Sequence, residues 1–270
     1  MKLGYIDYLN CYPFYHYMFE KENLKGVCVI PGYPNELNRM MHSHELDMSP
    51  ISAATCADIA DEIMLLPQFC LSSAGYVGSV ILASKIPIEK LNNKRIGITS
   101  ASHTSCVMLK ALLQNYYRVN PLYFTTDPFP DLKHMDAALI IGNEAMIPHN
   151  EPVPYVYDLG ELWFQQTGFP IVFAVFSIRE RIIERYASDI RSVIQSYHNS
   201  LLCLEKEKEN VILKAREKYP NVFYNIDEYY SNLQFEFTKD LKRALDFYHS
   251  IAGELGLIKK VASLKYLTID

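Results

Sequence analysis

The residues best suited to chemistry form a hydroxyl-rich segment at 100–105, between a predicted strand and a predicted helix. The first backbone N–H groups of a helix have no partner within it and carry partial positive charge, so they attract anions. Ser102, Thr104 and Ser105 add hydroxyl donors at that point. Because the segment lacks the glycines and lysine of a phosphate-binding loop, we predict a carboxylate ligand rather than a nucleotide. Ordinary capping of the helix by Ser102 or Thr104 is an equally good explanation.

Two other turns of the predicted fold carry polar side chains, and together with the segment 100–105 we call them the three polar corners. Residues 72–80 contain two glycines, which let the backbone turn sharply, and Ser79 can face a cleft from this turn. Asn10 follows the first predicted strand, at the edge where open α/β sheets bind ligands, and its amide is both a donor and an acceptor. Turn capping or solvation is the alternative for Ser79, and closing a turn before Pro13 is the alternative for Asn10.

Histidines and cysteines offer little else. His103 lies within the hydroxyl-rich segment, where it can carry a proton or simply belong to the cap loop. His42 and His44 do not have the spacing of a zinc-binding pair. The six cysteines are widely spaced without a Cys-x-x-Cys pair, so the sequence predicts neither a disulfide framework nor a metal site.

The elements that must position these residues follow from the apolar pattern. Short apolar runs alternate with helical patterns through the first 180 residues, which predicts β-α-β units and a largely parallel sheet. We expect Asn35 to cap the helix after the second strand, and Pro50 to lie in the first turn of a helix that runs through Ile59. The main predicted strands cover 2–6, 27–30, 46–48, 94–98 and 137–141.

The same pattern predicts two lobes. Apolar runs at 81–85 and 173–177 are interpreted as strands that cross between the lobes and form a hinge. The predicted lobes are therefore residues 1–84 with 176–270, and residues 85–175. Beyond residue 179 the pattern changes to long C-terminal helices, which we expect at 180–218, 227–236 and 238–256.

Composition narrows the class of partner. With a formal net charge of -5 and no basic patch, the chain is not expected to bind nucleic acid or an acidic membrane surface. The N-terminus lacks the features of a secretory signal, and no apolar stretch reaches the roughly 18 residues needed to cross a bilayer. We therefore expect a cytoplasmic protein. The sequence does not indicate an oligomeric state.

Motifs that occur in order along the chain resemble a known family, the chorismate dehydratases that start the futalosine route to menaquinone. Each motif is weak alone, but together they are specific. They are Tyr8-Leu9-Asn10 with Pro13, the segments 34–38 and 46–52, Leu65-Leu66-Pro67, the segments 75–80, 102–105 and 157–160, Trp163, the segments 167–170 and 172–174, Arg179, and 254–258.

The resemblance implies an α/β, two-lobed type 2 periplasmic-binding-protein-like fold with a two-strand hinge and C-terminal helices. It also implies a hydro-lyase that needs no cofactor or metal and converts chorismate to 3-[(1-carboxyvinyl)oxy]benzoate. An asparagine and a serine important in the family correspond to Asn10 and Ser79, which are the implied catalytic residues. The implied substrate-binding residues are Ser49, Ser52, Gly78, Ser102, His103, Thr104, Ser105 and Asn143.

The mechanism expected from these motifs is substrate-assisted. Removing a proton and a hydroxyl needs a base, yet the motifs contain few ionisable groups. We therefore predict that the enolpyruvyl carboxylate of the substrate takes the proton and is positioned by Asn10 and Ser79. The hydroxyls of residues 102–105 would hold the ring carboxylate. The family usually has Ile-Gly-Asp where this chain has Ile141-Gly142-Asn143, which makes Asn143 a departure.

Two other functions stay open at this point. One is a non-catalytic small-carboxylate binding protein of the same fold, which would ordinarily need an export signal. The other is the sister enzyme 1,4-dihydroxy-6-naphthoate synthase, which would be expected to have a different N-terminal motif and a catalytic histidine. Tyr8-Leu9-Asn10 favours the dehydratase, whereas His103 keeps the sister enzyme as an alternative.

Overall fold

A computed structural model of the chain describes residues 1–148 and 153–268. Strands and α-helices alternate along the first two thirds of the described chain, and helices dominate the rest. The strands are β1 (Lys2–Ile6), β2 (Cys28–Gly32), β3 (Met48–Ser52), β4 (Ile63–Ser73), β5 (Val80–Ser84), β6 (Arg95–Thr99), β7 (Leu122–Thr126), β8 (Ala137–Ile141), β9 (Tyr155–Asp158), β10 (Ile171–Arg179) and β11 (Gln234–Glu236). The α-helices are α1 (Tyr12–Glu20), α2 (Pro34–His42), α3 (Ala53–Asp58), α4 (Thr104–Ala111), α5 (Leu159–Thr167), α6 (Ala187–Lys206), α7 (Lys208–Lys218), α8 (Ile226–Ser231) and α9 (Lys239–Glu254).

The described strands form two mixed sheets. The first has the order β11-β4-β10-β3-β1-β2, and the second has the order β7-β6-β8-β5-β9. In the first sheet β1 runs parallel to β2 and β3, while β10 runs antiparallel to β3 and β4. In the second, β6 runs parallel to its two neighbours and β5 runs antiparallel to its own. The sheets are thus less parallel than the sequence predicted, because the strands at the crossings run in the opposite direction.

The chain passes from one sheet to the other twice, in the connections that precede β5 and β10. β5 pairs only with β8 and β9, and β10 pairs with β3 and β4, so neither strand is shared between the sheets. The first passage is the turn at residues 74–79, and the second runs through α5 and residues 168–170. The expected crossing strands at 81–85 and 173–177 therefore lie each within one sheet. The predicted limits of the lobes stay a prediction.

The C-terminal helices cover the first sheet. α6 packs along α1, and an aromatic cluster joins these helices to the sheet: the ring of Phe14 lies 4.4 Å from that of Phe176, which lies 5.2 Å from that of Tyr197. These rings bury large apolar areas and prefer tilted or edge-on contacts. The predicted helix at 180–218 is divided at Glu207, and the one at 227–236 is α8 followed by β11.

Two local expectations were wrong. Pro50 lies in the buried strand β3, opposite Phe176, because it is enclosed between β1 and β10 rather than beginning a helix. α2 begins at Pro34 with Tyr33 as its N-cap residue, and the Glu36 carboxylate accepts a hydrogen bond from Tyr33 N at 2.9 Å. Asn35 instead reaches the loop after β6 in the second sheet, where its backbone N donates to the Ala101 carbonyl at 3.0 Å.

Three histidines buried in this fold make its stability depend on pH. Burial lowers the pKa of His16, His103 and His249 below the usual value. Because the folded chain resists protonation of these rings, the unfolded chain binds more protons below about pH 6.5. We expect the free energy of unfolding to fall as the pH drops from about 7.5 to about 5.5, by at most about 1.4 kcal/mol per pH unit for each histidine. Urea unfolding followed by circular dichroism measures this dependence.

The matched control is His42→Gln, which removes an exposed histidine and should leave the dependence unchanged. His249→Gln should flatten the dependence, since it removes a ring that is 5% exposed. Stability that stays constant or rises on acidification over this range would contradict the expectation.

Candidate active site

A cavity between the two sheets brings the three polar corners together. Its volume is about 40 Å³, so the walls of the two sheets lie close together. Apolar side chains from both sheets form much of the wall, among them Leu71, Ile141 and Phe173. The predicted site residues that line it are Asn10, Ser52, Ser79, Ser102, Thr104 and Ser105. A narrow, mostly apolar cavity with a few convergent polar groups is the usual form of a small-molecule site.

Asn10 is held at the end of β1 by bonds to the residue before it. Leu9 N donates to Asn143 Oδ1 at 2.9 Å, and the Leu9 carbonyl accepts from the Tyr230 hydroxyl at 3.1 Å. Asn10 Oδ1 is buried and has no hydrogen-bond partner in the part of the chain that the structure describes. Because a buried polar atom is nearly always paired, this oxygen is available to a ligand in the cavity.

Ser79 ends the crossing turn, whose backbone is fixed by a buried carboxylate. Asp158 accepts hydrogen bonds from Val77 N at 3.2 Å and Gly78 N at 2.7 Å, and it also caps α5. Burial raises the pKa of Asp158, and the backbone hydrogen bonds oppose this shift. Gly78 has a φ of +77°, which favours glycine there. Ser79 O accepts from Gly142 N at 2.7 Å, so the serine is held on both sides.

The hydroxyl-rich segment both begins α4 and lines the cavity. The N-cap residue of α4 is His103, whose side chain makes no capping bond, and Ser102 Oγ instead accepts from Ser105 N in the first turn at 3.1 Å. The Thr104 hydroxyl donates to the Phe173 carbonyl at 2.9 Å and accepts from Ala54 N at 3.3 Å. Since a hydroxyl has a single proton, Thr104 keeps no donor for a ligand, and its hydroxyl serves instead to join the two sheets.

Ser52 lines the cavity from the opposite side. Asn38 donates from Nδ2 to Ser52 Oγ at 2.9 Å and accepts from Ser52 N at 2.9 Å. Both residues are buried, so the paired bonds hold the end of β3 against α2.

Ser49, Gly78, His103 and Asn143 lie outside the cavity lining. Ser49 is fully buried within the first sheet, where its hydroxyl donates to the Pro50 carbonyl at 2.8 Å. His103 Nδ1 lies 2.9 Å from Thr55 Oγ1, and burial lowers the pKa of the ring, so it is mainly neutral at pH 7. In the described part of the chain, His103 does not reach the cavity, so it is not placed to carry a proton there.

Comparison with known proteins places this site in a family. A family model described as menaquinone biosynthesis matches residues 1–254. The chain belongs to this family. It is 33% identical over 194 residues to the chorismate dehydratase of Thermus thermophilus, covering 66% of this chain and 69% of that protein. The 1,4-dihydroxy-6-naphtoate synthase of the same organism is 24% identical over 148 residues, covering 55% of this chain and 54% of that protein.

A solved structure identifies the fold of this menaquinone-biosynthesis protein. The periplasmic aliphatic sulphonate binding protein SsuA from Escherichia coli superposes with a TM-score of 0.66 at 12% identity, covering 97% of this chain and 94% of that one. The predicted two-lobed periplasmic-binding-protein-like fold is confirmed. Within residues 1–148 and 153–268, no helix has the length and apolar character to cross a membrane. The cytoplasmic location stays a prediction.

Asn143, where the resemblance led us to expect an aspartate, has a structural role that a carboxylate can also fill. Its Oδ1 is the acceptor for Leu9 N, across the gap between the two sheets. Asn143 also lines a second, more open pocket together with Asp7, Tyr33 and Glu144. In this outer pocket the Tyr33 hydroxyl donates to Glu144 Oε1 at 3.2 Å. An aspartate at 143 would keep the bond to Leu9 and add negative charge to this pocket.

Two tyrosines of α8 contact the site and were not found by sequence reasoning. The Tyr229 hydroxyl lies 2.7 Å from Ser79 Oγ, and Tyr230 binds Leu9. From the sequence, this region is predicted only as a helix at 227–236. Nothing local connects this helix to a serine 150 residues earlier, so only the tertiary structure shows the contact.

Proposed function

We propose that this member of the menaquinone biosynthesis family is a chorismate dehydratase, a hydro-lyase that converts chorismate to 3-[(1-carboxyvinyl)oxy]benzoate. One observation carries the proposal beyond the family relationship. Over the described residues, the cavity lining contains hydroxyls and an amide but no Asp, Glu, His, Lys or Arg side chain. Burial raises the pKa of Tyr8, which also lines the cavity, so its phenol keeps its proton. A reaction that needs a base in this cavity is therefore best served by a substrate that brings one.

Chorismate carries such a base in its enolpyruvyl carboxylate. In the proposed reaction this carboxylate takes the C3 proton, and the electrons of the C3–H bond form the new ring double bond. The C4–O bond breaks, and the departing hydroxide takes the proton and leaves as water. Atoms and charge balance without a cofactor, and aromatisation of the ring drives the reaction. Exclusion of bulk water from the cavity strengthens the polar contacts that orient the substrate.

The predicted site residues divide into two groups in this proposal. Asn10 and Ser79 act at the reacting end of the substrate, where Ser79 donates to the enolpyruvyl carboxylate and Asn10 Oδ1, an acceptor, takes the hydrogen bond of the C4 hydroxyl. Ser102, Ser105 and the first N–H groups of α4 bind the ring carboxylate. Thr104 contributes through its backbone, because its hydroxyl is already paired on both sides. Ser49, Gly78, His103 and Asn143 lie outside the lining, and of these Gly78 and Asn143 hold the backbone next to Ser79 and Asn10.

Mixing the pure protein with chorismate tests the function. We expect mass spectrometry to show a product lighter than chorismate by one water, formed in proportion to enzyme concentration. Chorismate that binds without losing water would indicate the non-catalytic binding protein instead. A protein that shows no binding and no water loss would exclude the proposal. The sister naphthoate synthase gains no support from the described site, since His103 lies outside the cavity lining.

Restoring the family motif by Asn143→Asp is expected to change kcat by less than about three-fold, because a carboxylate oxygen can accept the same bond from Leu9 N. Asn143→Ala removes that acceptor and loosens the loop that carries Asn10, so we expect a roughly ten-fold lower kcat. Steady-state dehydration of chorismate by the two variants measures the difference. Equal rates for the two variants would show that the bond to Leu9 does not matter.

A further inference from the structure

Helix α8 reaches both segments that carry the proposed catalytic side chains. The hydroxyl of Tyr229 lies 2.7 Å from Ser79 Oγ, and the hydroxyl of Tyr230 donates to the Leu9 carbonyl at 3.1 Å. Both tyrosines are buried, with 0% and 3% of their surface exposed. Asn225 caps the helix by accepting from Glu228 N, which fixes the start of α8. One short helix therefore binds both the segment before Asn10 and the side chain of Ser79.

The bond between Tyr229 and Ser79 has a direction that matters for a ligand. Each hydroxyl has one proton, so only one of the two can donate in this bond. The side chain of Asn10 also contacts the Tyr229 hydroxyl, while Asn10 Oδ1 has no partner among the described residues. The two observations fit an amide whose NH₂ group faces Tyr229 and whose oxygen faces the cavity.

We propose that Tyr229 is a positioning residue that accepts from the Asn10 amide and donates to Ser79 Oγ, which leaves the Ser79 proton directed into the cavity. The chain of donors then runs from Asn10 through Tyr229 and Ser79 to a carboxylate of the substrate. Burial raises the pKa of Tyr229, so the phenol keeps the proton that it donates. Neighbouring hydrogen bonds in such a chain strengthen one another. This inference rests on the proposed function of the cavity.

Tyr229 acts through Ser79 and does not line the cavity, so its removal should affect kcat more than substrate binding. We expect Tyr229→Phe to lower kcat about 10- to 100-fold while KM for chorismate changes less than about three-fold. On a Ser79→Ala background, the same substitution should cause no further loss, because the group it orients is gone. Replacing Tyr229 by 3-fluorotyrosine, which keeps the hydroxyl, should restore kcat.

Tyr197→Phe is the matched control. It removes another fully buried tyrosine hydroxyl, which donates to Tyr15 at 2.8 Å within the aromatic cluster of the first sheet, and kcat should stay unchanged. A wild-type protein that does not dehydrate chorismate would overturn the proposed function and this inference with it. An active wild type with an unchanged Tyr229→Phe variant would overturn this inference alone. This inference would also be overturned if Tyr229→Phe lowered kcat equally on the wild-type and Ser79→Ala backgrounds. The same holds if circular dichroism showed the Tyr229→Phe variant to be unfolded.

Discussion

Replacing Asn10 by alanine is expected to lower kcat roughly 100- to 1,000-fold, with a less than about ten-fold change in KM for chorismate. Asn10 lines the cavity, and its Oδ1 is buried without a partner in the described chain, so it can accept a hydrogen bond from a ligand. The loop itself should survive the substitution, because its bonds run through the backbone of Leu9 to Asn143 and Tyr230. Steady-state kinetics of chorismate dehydration measures the effect.

The control for this variant is Asn199→Ala. Asn199 lies on α6, where its Oδ1 accepts from Gln195 at 3.0 Å on an exposed face. Its removal should leave kcat and KM unchanged. An Asn10→Ala enzyme that binds chorismate normally and keeps full turnover would exclude Asn10 as a catalytic residue. A variant that loses binding but not kcat would assign it to substrate affinity alone.

Ser79→Ala is expected to reduce kcat roughly 100-fold, since it removes the hydroxyl that the mechanism directs toward the enolpyruvyl carboxylate. The backbone around it should stay in place, because the Ser79 carbonyl is bound by Gly142 N and the turn is fixed by Asp158. Quenched-flow or steady-state measurement of the dehydrated product gives kcat, and the unfolding midpoint checks the fold.

Ser72→Ala provides the comparison. Ser72 is as buried as Ser79, but its hydroxyl donates to the Gln234 carbonyl at 3.2 Å in the first sheet and lies outside the cavity lining. Loss of stability without loss of kcat is the expected result for this control. If Ser79→Ala and Ser72→Ala had the same kcat, the Ser79 hydroxyl would have no role in the chemistry.

The two sheets are held together around the cavity by polar bonds from several elements. Asn35 binds the backbone of Ser100 and Ala101 from α2, Leu9 binds Asn143, and Thr104 binds Phe173. Each of these bonds joins the first sheet to the loops of the second. The described conformation is therefore a closed one, in which bulk water is largely kept from the polar corners.

Local pattern in the sequence predicted much of the secondary structure. The strand at 137–141 coincides with β8, and the hydroxyl-rich segment covers the loop after β6 and the first two residues of α4. The same reasoning failed at Pro50, where a short buried strand looks locally like a helix start. A strand enclosed by neighbours on both sides has little alternation of polar and apolar residues, so its identity depends on strands that are distant in sequence.

The sequence by itself determined which residue types stand at the ends of strands and at the start of α4, because strand alternation, helix periodicity and glycine turns are local properties. Only the tertiary structure decided which of them share a cavity. Asn10, Ser79 and Ser102 converge, whereas Ser49 and His103 face other partners. It also brought Tyr229 to Ser79 across 150 residues. Such contacts depend on sheet order and on where α8 packs, and no local pattern specifies either.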